Sequence, residues 1–393
     1  MDFLIIFRQR CKYFIIFILA SLILGEGATR IFFLITKRDI KAFNAYFDLY
    51  RGDTFIGYIP APAYKMSHNR GRYASSTKQF TEPLSVSVNQ FGFRGREFSS
   101  KKKSGTYRIF CLGGSDTWGF GVNDNETWPY QIGEKLKKKY GNNIEIINAG
   151  VPGYTTFHSL SNLSTRILDF DPDMIIIYHS WNDLKYMPYV SQKRQFGVLP
   201  LSGDYQQPNF LEIFLHRSYL YISFSIIKRA LEEKIRNGEN RLVSSAHEAY
   251  SKDKRNADYS YGLFVFRRNL LNMITIARAN HIQVILANPL TLVKSENSEA
   301  ETKKIAWHYI GLSIDEIKKI FIRIDETIKS IADSERVKYI NLNKLIPSNL
   351  DTMMDHIHPT QLGYELIGNA LFEGIKDEMA THKMSAFTSD NPR

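Results

Sequence analysis

Two polar blocks that lie far apart in the chain contain the residue types that nucleophilic catalysis requires. Ser115 lies in the glycine-rich run 113–119 (GGSDTWG), where a tight turn would expose its hydroxyl beside a helix N-terminus. The block 355–359 (DHIHP) contains His356 and His358, and a histidine can accept the serine proton and return it to a leaving group. Asp355, three residues before His358, can orient an imidazole and stabilise its cation. Taken alone, Ser115 is best explained as a helix cap. The alternatives for the second block are an ordinary polar loop and a metal site, and the metal site is not favoured because no fourth ligand is evident.

Two further blocks contain groups that can donate hydrogen bonds to a developing oxyanion. The run 148–153 (NAGVPG) ends in Gly153, whose backbone N–H can approach a substrate closely because glycine has no side chain. The run 179–183 (HSWND) contains Asn182, whose side-chain amide is a suitable donor. A Pro-Gly turn and a helix-capping asparagine are the alternative interpretations.

Each of these blocks follows a predicted strand or lies in a loop near the end of the chain. Apolar runs separated by helical patterns predict an α/β fold with a five-stranded parallel sheet that is covered by helices on both faces. The carboxyl ends of such strands meet at one edge, where ligands bind. The predicted strands are 107–112, 144–148, 174–179, 282–287 and 338–342. The predicted helices are 128–140, 156–169, 263–280, a largely helical stretch 304–332, and 361–376.

This ordered set of Ser, Gly, Asn and Asp-x-x-His resembles the SGNH hydrolases, also called the GDSL esterase and lipase family. The resemblance covers residues 107–376 and implies a three-layer α/β/α fold of the flavodoxin-like SGNH type. It also implies catalysis without a cofactor or metal. By this likeness Ser115 is the nucleophile, His358 is the base and Asp355 orients it, whereas His356 is only a neighbour. The backbone N–H groups of Ser115 and Gly153 and the amide of Asn182 correspond to the oxyanion hole.

Two positions depart from the family pattern. The usual Gly-Asp-Ser is replaced by Gly-Gly-Ser at residues 113–115, which is similar to a membrane-anchored branch of the family. The usual Gly-x-Asn-Asp begins with Ser180, which would narrow the pocket beside Asn182. Trp118 and Trp181 are candidates to stack on a sugar ring of the substrate, although aromatic residues at strand ends are more often core residues.

The N-terminus carries a strongly apolar segment. Tyr13–Leu24 is uncharged and follows three basic residues, and Ile31–Ile35 resumes the apolar pattern after an interruption that contains Glu26 and Arg30. Those two charged residues are four apart and can pair on a helix. Together the two apolar runs reach the length needed to cross a membrane, about 20 residues. An uncleaved signal anchor is favoured over a cleaved signal peptide because no small-x-small cleavage site follows Leu24. The preceding basic residues place the N-terminus in the cytoplasm and the catalytic domain outside.

The net positive charge of the 393-residue chain comes entirely from its first part. Residues 1–110 contain 18 Lys and Arg against 7 Asp and Glu, a net of +11, whereas residues 111–393 contain 33 of each. Such residues, among them Arg94 and the run 101–103, form either an ordinary solvated surface or a face toward anionic lipid headgroups. A nucleic-acid partner is not expected, because no nucleic-acid module accompanies the charge. The two cysteines, Cys11 and Cys111, are expected to be unpaired.

The domain organisation follows from these patterns. We expect a cytoplasmic tip and membrane anchor at 1–41, a small β-rich arm at 42–105, a catalytic domain at 106–380 and a flexible tail at 381–393. An edge hairpin is predicted at 84–88, followed by a turn at 89–95. Residues 185–260 interrupt the strand and helix pattern with a predicted lid or binding insertion, which contains an apolar helix at 211–231 and disorder within 233–257.

The sequence therefore predicts a membrane-anchored serine esterase. Its expected substrate is an ester-linked acyl group, acetyl in the first instance, on a carbohydrate of the cell envelope, and the alternative partner is an ester-bearing lipid. Transfer of the acyl group to a glycan hydroxyl and a non-catalytic glycan-binding or assembly role are the alternatives. The sequence leaves the oligomeric state open.

Overall fold

The computed structural model describes residues 2–36, 49–69, 83–193, 215, 218–224, 227, 258–305 and 312–388. The chain divides into two compact units. The smaller unit consists of residues 1–48 and 207–248, and the larger unit consists of residues 49–206 and 249–393.

The larger unit alternates strand and helix after an N-terminal arm. In chain order the helices and strands of the protein are α1 (Asp2–Thr36) in the smaller unit, then β1 (Tyr50–Asp53), β2 (Gly57–Pro60), β3 (Lys65–Asn69), β4 (Pro83–Ser87), β5 (Tyr107–Gly113), α2 (Ser115–Trp118), α3 (Trp128–Tyr140), β6 (Ile144–Asn148), α4 (Thr156–Thr165), β7 (Met174–Tyr178), α5 (Trp181–Lys193), α6 (Ser260–Ala279), β8 (Gln283–Asn288), α7 (Glu299–Thr302), α8 (Ile314–Glu335), β9 (Lys338–Asn341), α9 (Leu342–Leu345) and α10 (Gln361–Thr388).

The predicted five-stranded parallel sheet is confirmed. Its strand order is β6-β5-β7-β8-β9, and every neighbouring pair is parallel. The order reverses around β5, which pairs with both β6 and β7, so the carboxyl ends of β5 and β7 flank a topological switch point. Ligands bind at such points in open α/β sheets.

Alternate residues of the strands enter two hydrophobic cores, which gives the predicted three layers. On one face, side chains such as Phe110 and Ile175 pack with α4, α5, α6 and α8. On the other face, side chains such as Ile109 and Ile176 pack with α3 and α10. Because both faces are covered, the strands are apolar along their whole length instead of alternating with polar residues.

The arm consists of two antiparallel pairs, β1 with β2 and β3 with β4. The second pair includes most of the predicted edge strand at 84–88. The arm has a hydrophobic cluster that is shared with the catalytic domain, because Ile56 and Tyr58 pack there with Trp118, Val151 and Tyr154. Arm residues therefore reach the loops that follow β5 and β6.

The first helix includes both predicted apolar runs. α1 extends from Asp2 to Thr36, and Arg30 Nε lies 2.8 Å from Glu26 Oε1, as expected for two residues that are four apart on a helix. The stretch Phe7–Ile35 is long and apolar enough to cross a membrane by length and composition, a property that a signal sequence shares.

Several other boundaries differ from the predictions. The C-terminal helix continues to Thr388, so the predicted tail begins later; no Gly or Pro follows Gly374 until Pro392, and nothing in that stretch breaks a helix. The stretch 304–332 contributes α8 only from Ile314 onward, after the capping serine Ser313. The predicted insertion begins within α5, which ends at Lys193. Within the predicted apolar helix 211–231, residues 219–224 are helical, and the predicted disorder at 233–257 lies outside the described residues.

Some of the basic residues before Ser115 are not on a solvated or lipid-facing surface. The side chains of Arg94 and Arg108 are buried, and their guanidinium groups pair with Asp124 and Glu145. Lys102 bridges to Asp173 at 2.8 Å. Arg94 and Lys102 thus stabilise the junction between the arm and the sheet, which corrects the expectation for these two, whereas Arg96, Lys101 and Lys103 are exposed.

Candidate active site

The turn after β5 holds Ser115 at the first residue of the short helix α2. Gly113 is sterically required there, because a Cβ at this position would lie 1.9 Å from Thr117 Oγ1 and 2.7 Å from the Tyr178 carbonyl oxygen. A Cβ at position 114 would lie 2.7 Å from Asn182 Nδ2, so the asparagine amide lies directly against the turn that holds Ser115.

The structure brings His358, and not His356, to Ser115. Ser115 Oγ lies 2.8 Å from His358 Nε2, and His358 Nδ1 lies 2.7 Å from Asp355 Oδ2. Asp355 Oδ1 accepts hydrogen bonds from the backbone N–H groups of Ile357 and His358, at 2.9 and 2.8 Å. Because both carboxylate oxygens are engaged within one turn, Asp355 has a fixed orientation toward the imidazole ring. Ser115 is 8% exposed and the His358 side chain 15% exposed, so the two groups are nearly enclosed but accessible.

The charges of this pair stabilise each other. Burial alone would raise the pKa of Asp355, but the imidazolium charge and hydrogen bond of His358 outweigh it and hold that pKa well below its usual range. Burial alone would lower the pKa of His358, but the carboxylates of Asp355 and Asp116 raise it above the ordinary value. The imidazole is therefore a stronger base than an isolated histidine, as proton removal from a hydroxyl requires.

His356 takes a structural position. Its ring lies 4.0 Å from the Trp181 ring, centroid to centroid, and its backbone carbonyl accepts hydrogen bonds from Thr291 Oγ1 and Leu292 N. Within the part of the chain that the structure describes, no three His, Cys, Asp or Glu side chains are grouped so that they could hold a metal ion.

Two residues next to His358 were missed by the sequence analysis. Asp116 is buried directly after Ser115; burial raises its pKa to about 6, against the opposing charge of His358. The ring of Phe120 stacks on the His358 imidazole at a centroid distance of 4.3 Å. Asp116 lies in the same block as Ser115 and Phe120 directly follows that block, but neither has a spacing that would have distinguished it from an ordinary turn residue.

The candidate oxyanion donors converge beside Ser115. Asn182 lies in the first turn of α5, and its Nδ2 donates to the Tyr154 carbonyl oxygen at 2.9 Å, which leaves its second N–H available. A Cβ built on Gly114 would meet both the Asn182 amide and, at 3.5 Å, the Tyr154 carbonyl oxygen, so the loop of Gly153 and Tyr154 lies beside the same turn. Gly153 has a φ of +86°, a conformation that other residues rarely adopt.

Ser180, the second departure from the family pattern, lies at the start of α5. Its backbone carbonyl accepts from Leu184 N at 3.0 Å, which is the hydrogen bond expected of an N-cap residue, and its side chain is buried. A serine at this place is therefore compatible with the helix that positions Asn182.

A buried polar cluster, called the clamp below, joins β7, α4, α5 and α6. It consists of Thr156, Ser159, His179, Asp183 and Asn269. Thr156 donates from its backbone N–H to both carboxyl oxygens of Asp183, at 3.1 and 3.0 Å, and also from its hydroxyl. Asn269 Nδ2 donates to Thr156 Oγ1, and Ser159 Oγ lies 2.7 Å from His179 Nε2. The clamp thereby fixes the helix that carries Asn182 against the helix that follows the Gly153 loop.

The titratable groups of the clamp are shifted toward their neutral forms. Burial raises the pKa of Asp183 to about 7, although the hydrogen bonds from Thr156 oppose the shift. Burial, assisted by His158, lowers the pKa of His179 to about 3. The lowered pKa makes His179 a weak base, and the Asp183 carboxyl is engaged by Thr156.

The arm supports the same loops from outside the sheet. Tyr58 Oη donates to the Pro152 carbonyl oxygen at 2.7 Å, and Tyr154 Oη donates to the Tyr58 carbonyl oxygen at 2.6 Å. Arg94 donates to the carbonyl oxygens of Trp118, Gly119 and Val122 at 2.6 to 2.7 Å. The loops on both sides of Ser115 are therefore held by residues that precede the catalytic domain in the chain.

The two candidate sugar-stacking residues are core residues in the structure. Trp118 packs in the arm cluster with the Arg94 guanidinium carbon 5.2 Å from the centre of its ring. Trp181 packs in the sheet core, 6.0 Å from the Phe321 ring. Both indole rings are almost fully buried, so neither presents a face on which a sugar could stack.

Comparisons with known proteins agree with this architecture. A model of the GDSL-like lipase/acylhydrolase family matches residues 111–366. No curated protein matches the chain. Among solved structures, the chain is similar to a lipase/acylhydrolase from Enterococcus faecalis, with 17% identity, 70% of this chain and 97% of that chain covered, and a TM-score of 0.41. It is similar to a GDSL-like lipase from Bacteroides thetaiotaomicron, with 15% identity, 69% and 88% covered, and a TM-score of 0.38. It is also similar to a catalytic mutant of an acetylxylan esterase from Geobacillus stearothermophilus, with 12% identity, 70% and 96% covered, and a TM-score of 0.39.

Proposed function

Because the chain belongs to the GDSL-like lipase/acylhydrolase family, whose members hydrolyse esters, we propose that it is a serine esterase with Ser115 as its nucleophile. The observation that carries the proposal is the continuous chain of short contacts from Ser115 Oγ through His358 to Asp355, at 2.8 and 2.7 Å. This arrangement contains the nucleophile, the base and the group that orients the base.

In the first half-reaction, Ser115 Oγ forms a bond to the acyl carbon while its proton passes to His358 Nε2. The carbonyl electrons move to the oxygen, and Asp355 stabilises the imidazolium that forms. Collapse of the tetrahedral intermediate breaks the bond to the alcohol oxygen, which takes the proton from His358 as it leaves. The product is an acyl group esterified to Ser115.

In the second half-reaction, His358 removes a proton from a water molecule, whose oxygen attacks the acyl carbon. Ser115 leaves and recovers its proton, and the free acid is released. During both half-reactions the oxyanion accepts hydrogen bonds from Ser115 N, Gly153 N and the free N–H of Asn182. Such donors act most strongly in an enclosed site, and Ser115 and Asn182 are largely buried.

We extend the proposal to the substrate class and the location. The apolar length of α1 and the basic residues Arg8, Arg10 and Lys12 before it support an anchor with the catalytic domain on the outer side of the membrane. On that side the accessible esters include acyl groups, acetyl in the first instance, on cell-envelope carbohydrates. If a sugar hydroxyl replaces water in the second half-reaction, the same site is an O-acyltransferase.

Labelling with a fluorophosphonate probe tests the nucleophile, because the probe forms a covalent bond only with an activated serine. We expect labelling of the full-length protein and none of Ser115→Ala, with Ser164→Ala, which changes a serine exposed on α4, as the matched control. A well-folded protein that is not labelled would instead support a non-catalytic binding role.

Release of acetate from acetylated envelope polysaccharides tests the substrate class. We expect release that depends on Ser115. Consumption of an acyl donor that occurs only when a glycan acceptor is present, without free acetate, would identify the transferase instead.

A further inference from the structure

Glu26 and Arg30 are the two charged residues in the part of α1 from Tyr13 to Thr36, and charges in such an apolar segment are costly unless they have partners. In the smaller unit, the partners of Glu26 come from the distant stretch 218–220. Ser218 Oγ and Leu220 N donate to Glu26 Oε2 at 2.7 and 2.9 Å, and Tyr219 N donates to Oε1 at 3.1 Å. Arg30 Nε donates to Oε1 at 2.8 Å. Four donors therefore surround one carboxylate.

These contacts provide hydrogen-bond acceptors for the backbone N–H groups at the N-terminus of a second helix. Residues 219–224 are helical, and the first N–H groups of a helix have no acceptor within it. Here Glu26 accepts from Tyr219 N and Leu220 N, Ser218 Oγ accepts from Tyr221 N at 3.1 Å, and Ser218 O accepts from Ile222 N. Every backbone donor in this first turn has an acceptor within the protein, as an environment without water demands.

Apolar contacts extend along the same stripe of α1. A Cβ at Gly25 would lie 3.1 Å from Leu220 Cδ2, so the two helices approach closely. The Phe33 ring lies edge-on to Tyr219 at 5.7 Å and packs with Ile222, and the Arg30 guanidinium lies 4.5 Å over the Tyr219 ring. Positions 25, 26, 29, 30 and 33 share one face of a helix, whereas the remaining apolar side chains of α1 point outward.

The second helix also presents apolar side chains outward. Phe224 is 66% exposed and Ile227 is 57% exposed, and apolar side chains of α1 such as Ile23 and Leu24 are exposed as well. The uncharged run of α1 begins at Tyr13, after the basic residues. With a rise of 1.5 Å per residue, Glu26 lies about 20 Å along the helix from Tyr13, in the outer third of a ~30 Å hydrocarbon layer. The contact between the two helices therefore lies toward the outer side of the membrane.

We propose that residues 218–224 and Ile227 belong to an interfacial membrane segment that docks on the outer end of α1, with Glu26 as its helix cap and lipid acyl chains covering Phe224 and Ile227. The proposal rests on the membrane orientation proposed above but is independent of the esterase activity. It assigns a membrane-binding role to these residues of the predicted insertion. It also requires that α1 is retained in the mature protein, because cleavage after α1 would remove the cap.

Cross-linking tests the contact. In full-length protein that carries Cys11→Ser, with Cys111 buried, the pair Gly25→Cys and Leu220→Cys is treated in native membranes with a short thiol cross-linker. We expect the two cysteines to join within one chain, which proteolysis of an inserted site near residue 42 would reveal as linked fragments. Ile23→Cys, whose side chain points outward, replaces Gly25→Cys as the matched control and should not join to Leu220→Cys. Absence of the link in both pairs, or an N-terminus that begins after α1 in the purified protein, would overturn the proposal.

Accessibility tests the lipid contact. A charged, impermeant thiol reagent should label Phe55→Cys in the arm, which is 71% exposed, at least tenfold faster than Phe224→Cys or Ile227→Cys in membranes. Equal labelling rates would place the segment in water. If protection disappears when single chains are reconstituted in lipid nanodiscs, the cover is a second copy and the proposal is wrong. Neither readout uses turnover, so an inactive enzyme leaves both results interpretable.

Discussion

The catalytic domain contains two Asp–His pairs with similar sequence spacing and opposite electrostatics. Asp355 and His358 are three residues apart, and Asp183 and His179 are four apart. In the first pair the carboxyl pKa is lowered and the imidazole pKa is raised, so the ion pair is favoured. In the second pair the pKa of Asp183 is raised to about 7 and that of His179 is lowered to about 3, so the neutral forms are favoured.

Distance and orientation account for the difference. His358 Nδ1 and Asp355 Oδ2 are 2.7 Å apart, which allows a charge-assisted hydrogen bond, whereas His179 Nδ1 and Asp183 Oδ2 are 4.0 Å apart. The clamp is also more deeply buried, so desolvation of the charged forms dominates there. Burial alone therefore does not make a histidine a stronger base. A carboxylate at hydrogen-bonding distance from the imidazole does, as Asp355 is from His358.

The largest expected effect separates the two aspartates. Asp355→Asn should lower kcat/KM for a p-nitrophenyl ester about 10⁴-fold, because the imidazole loses both its orientation and the charge that stabilises its cation. Asp183→Asn, the matched variant, should change the same parameter less than about tenfold. Both variants are checked for folding by circular dichroism, and comparable losses of activity in the two would contradict the assignment of distinct roles.

Neighbouring residues of α5 provide the second contrast. Asn182→Ala should lower kcat about 10²–10³-fold with little change in KM, because one donor to the oxyanion is lost only in the transition state. Stability should change little, since Asn182 makes one hydrogen bond to the Tyr154 carbonyl oxygen. Steady-state kinetics and thermal unfolding measure the two effects, and a loss of stability without a loss of kcat would make Asn182 a structural residue.

The third prediction concerns stability against pH. The carboxyl of Asp183 has a pKa of about 7 in the fold and an ordinary pKa of 3.8 when unfolded, so the native state binds the extra proton between these values. Its contribution is therefore fully present at low pH and is lost as pH rises toward 7. Over this range the free energy of unfolding should fall by up to about 1.4 kcal/mol per pH unit from this group.

Urea unfolding between pH 5 and pH 8 measures this contribution. Asp183→Asn, which cannot ionise, should lose stability less steeply than the wild type up to pH 7, and the two curves should run parallel above it. If the stability curves of the wild type and Asp183→Asn are parallel from pH 5 to pH 8, Asp183 is ionised in the native protein over that whole range.

The parallel sheet and the pair Asp355–His358 were predictable from the sequence, whereas the clamp was not. Runs such as 174–178 are apolar at every position, which is typical of a buried parallel strand, and loops after such strands meet at one edge. The residue types and spacing in the block 355–358 were therefore enough to predict a base and the carboxylate that orients it. Asp183 had no such signal, because its partner Thr156 lies 27 residues away and becomes a neighbour only when α4 and α5 pack together.

The arm shows the same limit of sequence analysis. Arg94 is one basic residue among many in the first 110 positions, and composition assigns it to the surface. In the fold it is buried and donates to three carbonyl oxygens of the loop after Ser115. Only the tertiary structure brings those carbonyl oxygens to Arg94, which lies more than 20 residues earlier in the chain. Trp118 and Trp181 likewise lie in loops by sequence and in hydrophobic cores by packing.

The smallest expected effect concerns Asp116, which is buried like Asp183 but acts electrostatically on His358 like Asp355. Its pKa is raised to about 6, and its anionic form raises the pKa of His358. His358 must be neutral to accept the serine proton. Asp116→Asn should therefore move the acidic limb of the kcat/KM profile to lower pH and reduce the plateau less than about tenfold.

A pH profile distinguishes this role from a purely structural one. The other titratable groups near Asp116 and His358 are Asp355, Tyr178 and Tyr364, and burial raises the pKa of both tyrosines above the ordinary value, so they stay neutral across the acidic limb. If Asp116 only supports the turn through its hydrogen bond from Thr117 N, the plateau falls and the limb stays in place. Asp183→Asn should leave the limb unmoved, because the clamp carries no charge that acts on His358. If the acidic limb shifts in Asp116→Asn but not in Asp183→Asn, a buried carboxylate can still raise the pKa of His358. The difference between the two aspartates is then their distance from the imidazole.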